Sequence, residues 1–186
     1  MSEVLKALVE RRSVRTFKPE QIKDSELQTI LQAGQFAPSA RNQQSWHFTV
    51  VQKQEILSKI NSIIQQQFLN SGVEAFVERA KAQNFSPFYH APTLIIVSGD
   101  ETAVAPHQDG ALALGNLFLA AHALNIGSVW IHSLRALFDS AEGRALNSEL
   151  GIPEGYVIIG SGAFGYNAGP IPQAAPRKEG TVTIIK

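Results

Sequence analysis

One mixed α/β domain built on a single core is the architecture the sequence predicts, on three observations. The chain has 186 residues, enough for one good core but cramped for two full domains. Segments with apolar residues at helical spacing alternate with short β-branched and aromatic runs, so both periods recur along its length. No internal repeat, linker or low-complexity tract divides it.

Composition removes several function classes. Sixteen basic and sixteen acidic residues leave no formal net charge, which argues against a nucleic-acid footprint. The absence of cysteine excludes disulfides, zinc-thiolate sites, Cys-ligated iron-sulfur clusters and a thiol nucleophile. Redox chemistry, if present, must be carried by a bound group. Met1-Ser2-Glu3-Val4-Leu5-Lys6 lacks the apolar region of a secretory signal. The longest apolar stretch, 111–123, is interrupted by Asn116 and His122 and is too short to span a bilayer, so the expectation is a cytoplasmic protein. A hydrophobic fraction of 44% leaves room for a buried subunit interface.

In chain order, Val4, Leu5, Leu8 and Val9 make one side of a helix over 3–10 with Ser2 as its cap. It delivers Arg11 and Arg12 at its C-terminal end. Phe17-Lys18-Pro19 breaks it, because the residue before proline is pushed toward an extended shape. Asp24 or Ser25 caps a second helix carrying Leu27, Ile30, Leu31, Gly34 and Ala37, which ends at Pro38. Trp46–Val51 reads as a strand. Ile56, Leu57, Ile60, Ile63 and Ile64 mark a third helix, and Val73, Phe76, Val77 and Ala80 a fourth piece. The Pro-limited aromatic stretch 84–92 is either a mobile cover over a pocket or a packed connection. Thr93–Ser98 is a nearly continuous apolar run, read as a strand covered on both faces.

Pro106–Asn125 is the longest helix and is apolar around almost its whole circumference, so it is buried on most sides. Its small residues suit close approach by another helix, which makes it a core and interface helix. Gly127 is its C-cap candidate. Ser128–Ile131 follows as a strand, then helical material at 134–138 and 142–150, and a strand at 156–160. The proline-rich tail from Gly169 runs extended, and the alternation of Thr181–Ile185 suggests an edge strand.

Arg11, Arg12, Ser13, Arg15 and Thr16 place three guanidinium groups and two hydroxyls within six residues. That density of rigid donors suits a phosphate or carboxylate; a solvated helix end is the plainer reading. Pro38, Ser39, Ala40, Asn42 and Gln44 form a turn loaded with short polar groups just before an apolar strand. Amides and hydroxyls of this kind satisfy the edge of a planar heterocycle, with Trp46 beside them. Gly160-Ser161-Gly162-Ala163-Phe164-Gly165 fits G-x-G-x-x-G after a strand. The dinucleotide fingerprint must open a helix, whereas Tyr166-Asn167-Ala168-Gly169-Pro170 follows here; a glycine-bent loop beside a ligand and a plain turn are the readings left. Walker A, H-E-x-x-H and G-x-S-x-G patterns are absent. His47, His90, His107, His122 and His132 are scattered, and no metal site is expected from them.

The basic run and the Pro38–Gln44 turn, taken together, resemble the nitroreductase family in its short form. The resemblance implies an α+β fold over residues 1–186, with a mainly antiparallel central sheet flanked by helices, an intertwined C2 homodimer, and an extended tail about 169–186. It implies bound FMN, consumption of NADH or NADPH, hydride transfer through flavin N5, and a small acceptor of the nitroaromatic or quinone type. Arg11, Arg12, Ser13 and Arg15 match the opening motif that holds the FMN phosphate and reaches the ribityl and pyrimidine part. Pro38, Ser39, Ala40, Asn42 and Gln44 match the loop presented by the partner subunit; Ser45 stands where the family usually has proline. Asp109, Gly110, Ala111 and Asn116 match the start of the central helix, in structural roles. Trp130, Ile131, His132 and Ser133 resemble the segment near the N5 edge, where backbone N–H groups would steady the ring, and other members carry an acid at the position of His132. Gly160 and Gly162 resemble the glycine-rich strand end. Pro176, Arg177 and Lys178 resemble the late basic motif over the phosphate. No side chain is nominated as a catalytic acid or base. The alternatives are a flavin-dependent dehydrogenase or dehalogenase on the same fold and a non-enzymatic FMN-binding protein.

Overall fold

The computed structural model describes the backbone of residues 1–186 and every side chain except those of residues 136, 137 and 139. Its centre is a four-stranded antiparallel sheet of β1 (Trp46–Val51), β2 (Thr93–Asp100), β3 (Ile126–Trp130) and β4 (Tyr156–Tyr166), ordered β1-β2-β4-β3. The α+β expectation therefore holds. β2 and β4 are the inner strands, and their register pairs Ile95 with Gly162 and Thr93 with Phe164.

The β2 reading follows from its composition. Leu94, Ile95, Ile96 and Val97 are all fully buried, because both faces of the sheet are covered. Leu94, Ile96, Val129 and Ala163 belong to one core, which also takes Leu57, Ile60 and Ile64 of α3 (Gln54–Leu69), Ala80 of α4 (Glu74–Ala80), Leu134 of α6 (Leu134–Asp139) and Leu146 of α7 (Ala141–Glu149). Ile95, Val97 and Phe164 belong to the other, with Leu27 and Ile30 of α2 (Asp24–Gln35) and Leu114, Leu117 and Phe118 of α5 (Pro106–Ala123). Burying one such aliphatic side chain contributes about 1.5–3 kcal/mol, so these two layers supply the main drive for the fold. Asn116 Nδ2 donates to Ala33 O at 3.0 Å and ties α5 to the last turn of α2.

Several local expectations change. The N-cap of α2 is Lys23, not Asp24 or Ser25, and the Glu26 carboxylate accepts from its backbone N–H at 2.9 Å. Ser2 does cap α1 (Glu3–Glu10), accepting from Leu5 N at 3.4 Å. Gly127 is no helix cap; it lies in β3 opposite Gly165, and Asn125 takes the left-handed turn after α5 with φ 58°. Gly160–Gly165 is neither a ligand loop nor a turn but the interior of β4. Residues 84–92 are a packed connection, with Phe85, Phe88 and Ala91 buried in the first core. Thr181–Ile185 forms no strand; Val182, Ile184 and Ile185 stand exposed, because nothing in the protomer offers that segment a strand edge.

The Tyr166 hydroxyl donates to Glu26 at 2.5 Å, joining the end of β4 to the start of α2. This bond, then that from Lys23 N–H, holds the Glu26 carboxyl below its ordinary range. The same partner pushes the Tyr166 phenol up. A depressed acid stabilises the fold above its unfolded value, near 4.5, and that contribution disappears as pH falls through the folded value. The neutral phenol stabilises below its unfolded value, near 10.0, and that contribution disappears as pH rises through the folded value. Tyr166→Phe should therefore flatten the acid limb of a Tm-versus-pH curve while leaving Tm at pH 2 close to that of the unsubstituted protein. An unchanged acid limb would show that the bond contributes nothing.

Candidate functional site

The amphipathic helix α1 ends at Glu10 and hands the chain to the two arginines. They behave differently. Arg12 Nη1 donates to Val9 O and Arg11 O, both at 2.8 Å, so it satisfies carbonyls left open at a helix C-terminus. Arg11 turns inward, its guanidinium carbon 5.9 Å from the centroid of the Phe118 ring. Burial first, then the charge of Arg12, lowers the Arg11 pKa, while its side chain has no acidic partner among the described residues. The helix-end reading thus suits Arg12, and the anion reading suits Arg11.

Past them the chain runs beside β3. Ser13 pairs with Ser128 in an isolated bridge, and Val14 N donates to Ser128 O at 3.0 Å. This anchor projects Arg15 over Tyr89, 5.9 Å from its ring centroid.

The floor beneath Arg11 is aromatic. Phe118 stacks on Phe164 at 5.7 Å and meets Trp130 edge-on at 6.4 Å. Such ring pairs add about 0.5–1.5 kcal/mol beyond their burial. The two glycines of β4 make room for this floor: a Cβ on Gly160 would lie 2.5 Å from Trp130, and one on Gly162 2.7 Å from Phe118. Arg11, Trp130, Gly160 and Gly162, which are far apart in sequence, are therefore brought into one contiguous patch. Ile131 N–H is spent on Ser161 O at 2.8 Å, and Ser161 Oγ returns a bond to Ile131 O at 2.9 Å. Of the three backbone donors expected from Ile131 to Ser133, Ile131 is thus already used within the sheet. His132 is exposed and Ser133 half-buried at the start of α6.

The second polar group lies elsewhere. The Pro38–Gln44 loop contains a short 3-10 turn at Ala40–Asn42, and Arg41, Asn42 and Gln44 adopt positive φ of 52°, 54° and 48°. Left-handed backbone is uncommon for such residues and persists where surroundings fix it. Ser39 Oγ accepts from Gln44 N at 3.0 Å, and Gln44 Nε2 donates to Asn42 Oδ1 at 3.0 Å. Two further anchors went unassigned in the sequence reading. Asp109, buried in the first turn of α5, accepts from Ala40 N at 3.0 Å, and Gln43 Oε1 accepts from Val104 N at 2.9 Å. An acid in a helix's first turn was the available signal for Asp109, but nothing in its spacing names Ala40 as partner. Asn42 and Gln44 open onto a cavity of about 720 Å³ that Phe36, Trp46 and His47 also line.

Asp109 holds this loop at the start of α5, whereas Phe118, under Arg11, sits nine residues further along the helix, about 13 Å at 1.5 Å per residue. The two groups do not meet in one protomer. The late basic motif stands apart as well. Arg177 Nε and Nη2 fold onto Ala175 O at 3.1 and 2.7 Å, and Lys178 is exposed with it on the extended tail. Further up the tail, Ile171 joins Arg11, Arg12, His122 and Asn125 around a cavity of about 90 Å³.

Comparison with known proteins agrees with this arrangement. Residues 8–166 match the model of the nitroreductase family. The fold superimposes on a nitroreductase with bound FMN from Bacteroides fragilis with a TM-score of 0.93 and 38% identity, over 100% of both chains. A second FMN-bound nitroreductase, from Desulfitobacterium hafniense, gives 0.89 and 29% identity, again over 100% of both. A protein of Archaeoglobus fulgidus, provisionally named an NADH dehydrogenase/NAD(P)H nitroreductase, is 34% identical over 171 residues, which is 89% of this chain and 86% of the relative. With the inward Arg11, the aromatic floor and a match running from α1 to the end of β4, the chain belongs to the nitroreductase family.

Proposed function

We propose that the protein is an FMN-dependent oxidoreductase that takes hydride from NADH or NADPH and reduces a small oxidised acceptor, nitroaromatic or quinone-like. The observation that carries this reading is Arg11: a half-buried guanidinium over an aromatic ring with no acid beside it. Such a group costs desolvation without return until an anion arrives, and a phosphate answers it with paired charge-assisted hydrogen bonds. FMN, when bound, supplies the two-electron chemistry through N5.

The chain's own contribution is binding, orientation and electrostatics. Arg11 and Ser13, joined by Arg177 and Lys178 from the tail, receive the phosphate; Arg15, steadied by Tyr89, reaches the polar end of the ring system. Arg12 acts by completing α1 and raising the local positive potential. Trp130–Ser133 and the Gly160–Gly162 stretch of β4 border the ring. Water reprotonates the product, and no side chain is required as acid or base.

The rim contacts come from a second copy. Pro38, Ser39, Ala40, Asn42 and Gln44 lie too far along α5 to serve Arg11's own site, and they suit that of a partner. Apolar surface supports a homodimer: Val4, Leu5, Leu8 and Val9 of α1, Leu112 of α5, and Val182, Ile184 and Ile185 of the tail are all exposed in the protomer. An apolar helix face left in water is a liability that association removes. Among the described residues no helix is long and apolar enough to cross a membrane.

The test is the visible spectrum of the purified protein, before and after anaerobic NADH or NADPH, with the released cofactor identified. A flavin band near ~450 nm that belongs to FMN and bleaches is the expected result. A colourless protein that binds no added FMN would remove the proposal.

A further inference from the structure

On the opposite side of the 84–92 connection from Arg15, a cavity of about 360 Å³ lies between that connection and α3. Its volume is in the range of small-molecule sites. Phe88, Pro19 and Pro92 give it flat apolar surfaces, while Asn61, Ser86 and His90 give it polar ones, and no charged side chain lines it. The hydrogen-bonding capacity of the polar groups is only partly used. Asn61 Oδ1 is buried with no partner. Ser86 Oγ accepts from His90 N at 2.9 Å, which leaves its own hydrogen to donate. His90 Nε2 faces Asn84 O at 3.2 Å, so Nε2 donates and Nδ1 remains an acceptor. Tyr89 and His90 hold consecutive left-handed φ of 57° and 54°, a costly conformation for two non-glycine residues. That twist turns Tyr89 toward Arg15 and His90 toward the cavity.

An uncharged planar ring bearing both donors and acceptors is the ligand this lining suits: stacked between the proline and phenylalanine surfaces, with a carboxamide to read its edge. Carboxamides pair bidentately with the N6/N7 edge of adenine. Any phosphate must stay outside, since the cavity offers no cation.

We propose that this cavity is the subsite for the adenosine half of the nicotinamide dinucleotide, with Asn61, Ser86 and His90 reading the base. The inference rests on the flavin reductase reading above, which supplies the dinucleotide. Its nicotinamide half reacts at the flavin while its adenosine is held across the Tyr89–His90 turn.

The experiment has two parts on the flavin-loaded protein. AMP is titrated while the histidine ring signals are followed by NMR; a saturable shift of His90, abolished by Asn61→Leu, is expected. In steady state, NADH is compared with reduced nicotinamide mononucleotide, which lacks the adenylyl half. The KM for NADH should be lower by about tenfold, the worth of one or two hydrogen bonds. Asn61→Leu should bring NADH to the mononucleotide's value without altering kcat/KM for the mononucleotide. Should Asn61→Leu fail to fold, Ser86→Ala carries the same comparison. Equal KM values in the unsubstituted protein, or a His90 signal indifferent to AMP, overturn the proposal. Failure of the flavin reading looks different: neither nucleotide would bleach a bound flavin, although AMP would still move His90.

Discussion

Arg11→Ala should emerge from purification colourless, with FMN affinity lower by roughly 10- to 100-fold, the loss of a charged hydrogen-bond pair worth about 1.5–3 kcal/mol. Stability should scarcely fall. The substitution forfeits a cation-π contact with Phe118 worth about 0.5–1 kcal/mol, but it also releases a guanidinium whose burial and neighbouring Arg12 both disfavour its charge. A thermal melt of the flavin-free variant within a few degrees of the unsubstituted protein, together with a weakened FMN titration, is the expected pair of results. Arg12→Ala separates the two arginines. Arg12 is spent on the carbonyls of Val9 and Arg11, so its removal should fray α1 and weaken FMN only severalfold. Arg11→Lys keeps the charge but loses the fork, and should fall between them. An Arg11→Ala protein that titrates with FMN as the unsubstituted chain does would end the phosphate assignment.

The contrast between those arginines shows where sequence reading stops. Periodicity placed α1, α3 and α5 and the buried β2 because the solvent-averse faces of these elements are written in local spacing. Each of those faces is buried in the structure, except that of α1, which the protomer leaves open. What local spacing does not encode is the choice between chemically equal neighbours. Arg11 and Arg12 differ only in which side of the chain they leave from, and that is fixed by the bridge of Ser13 to Ser128, a hundred and more residues away. The same holds for Asp109 and Ala40. The glycines of β4 misled for the converse reason. G-x-G-x-x-G is a pattern of missing side chains, and a missing side chain serves a tight turn, a phosphate or an adjacent ring equally well. Here the neighbours are rings, Trp130 and Phe118, and neither was adjacent in sequence.

Gly162→Ala should therefore couple stability to the site. The added methyl would lie 2.7 Å from both Phe118 Cε1 and Phe164 Cε2, well inside contact distance. Phe164 is fully buried and Phe118 nearly so, so neither ring swings freely aside, and the strain is of the overpacking kind, about 1–3 kcal/mol. For a chain of this size that corresponds to a Tm lower by roughly 3–10 °C. Of the two rings, Phe118 is the one at the edge of the core, and it is also the floor under Arg11. Its displacement should carry Arg11 and Trp130 with it and weaken FMN binding, although residue 162 itself need make no polar contact with the cofactor. The double variant Gly162→Ala, Phe118→Leu tests this route, because the smaller side chain returns the volume that the methyl takes. Tm should recover by more than half, while FMN affinity should not, since the aromatic face under Arg11 is gone. If Gly162→Ala melts with the unsubstituted protein, the β4 glycine is not there to admit the ring. If the double variant recovers FMN affinity as well as Tm, Phe118 acts only as filler and Arg11 needs no aromatic floor.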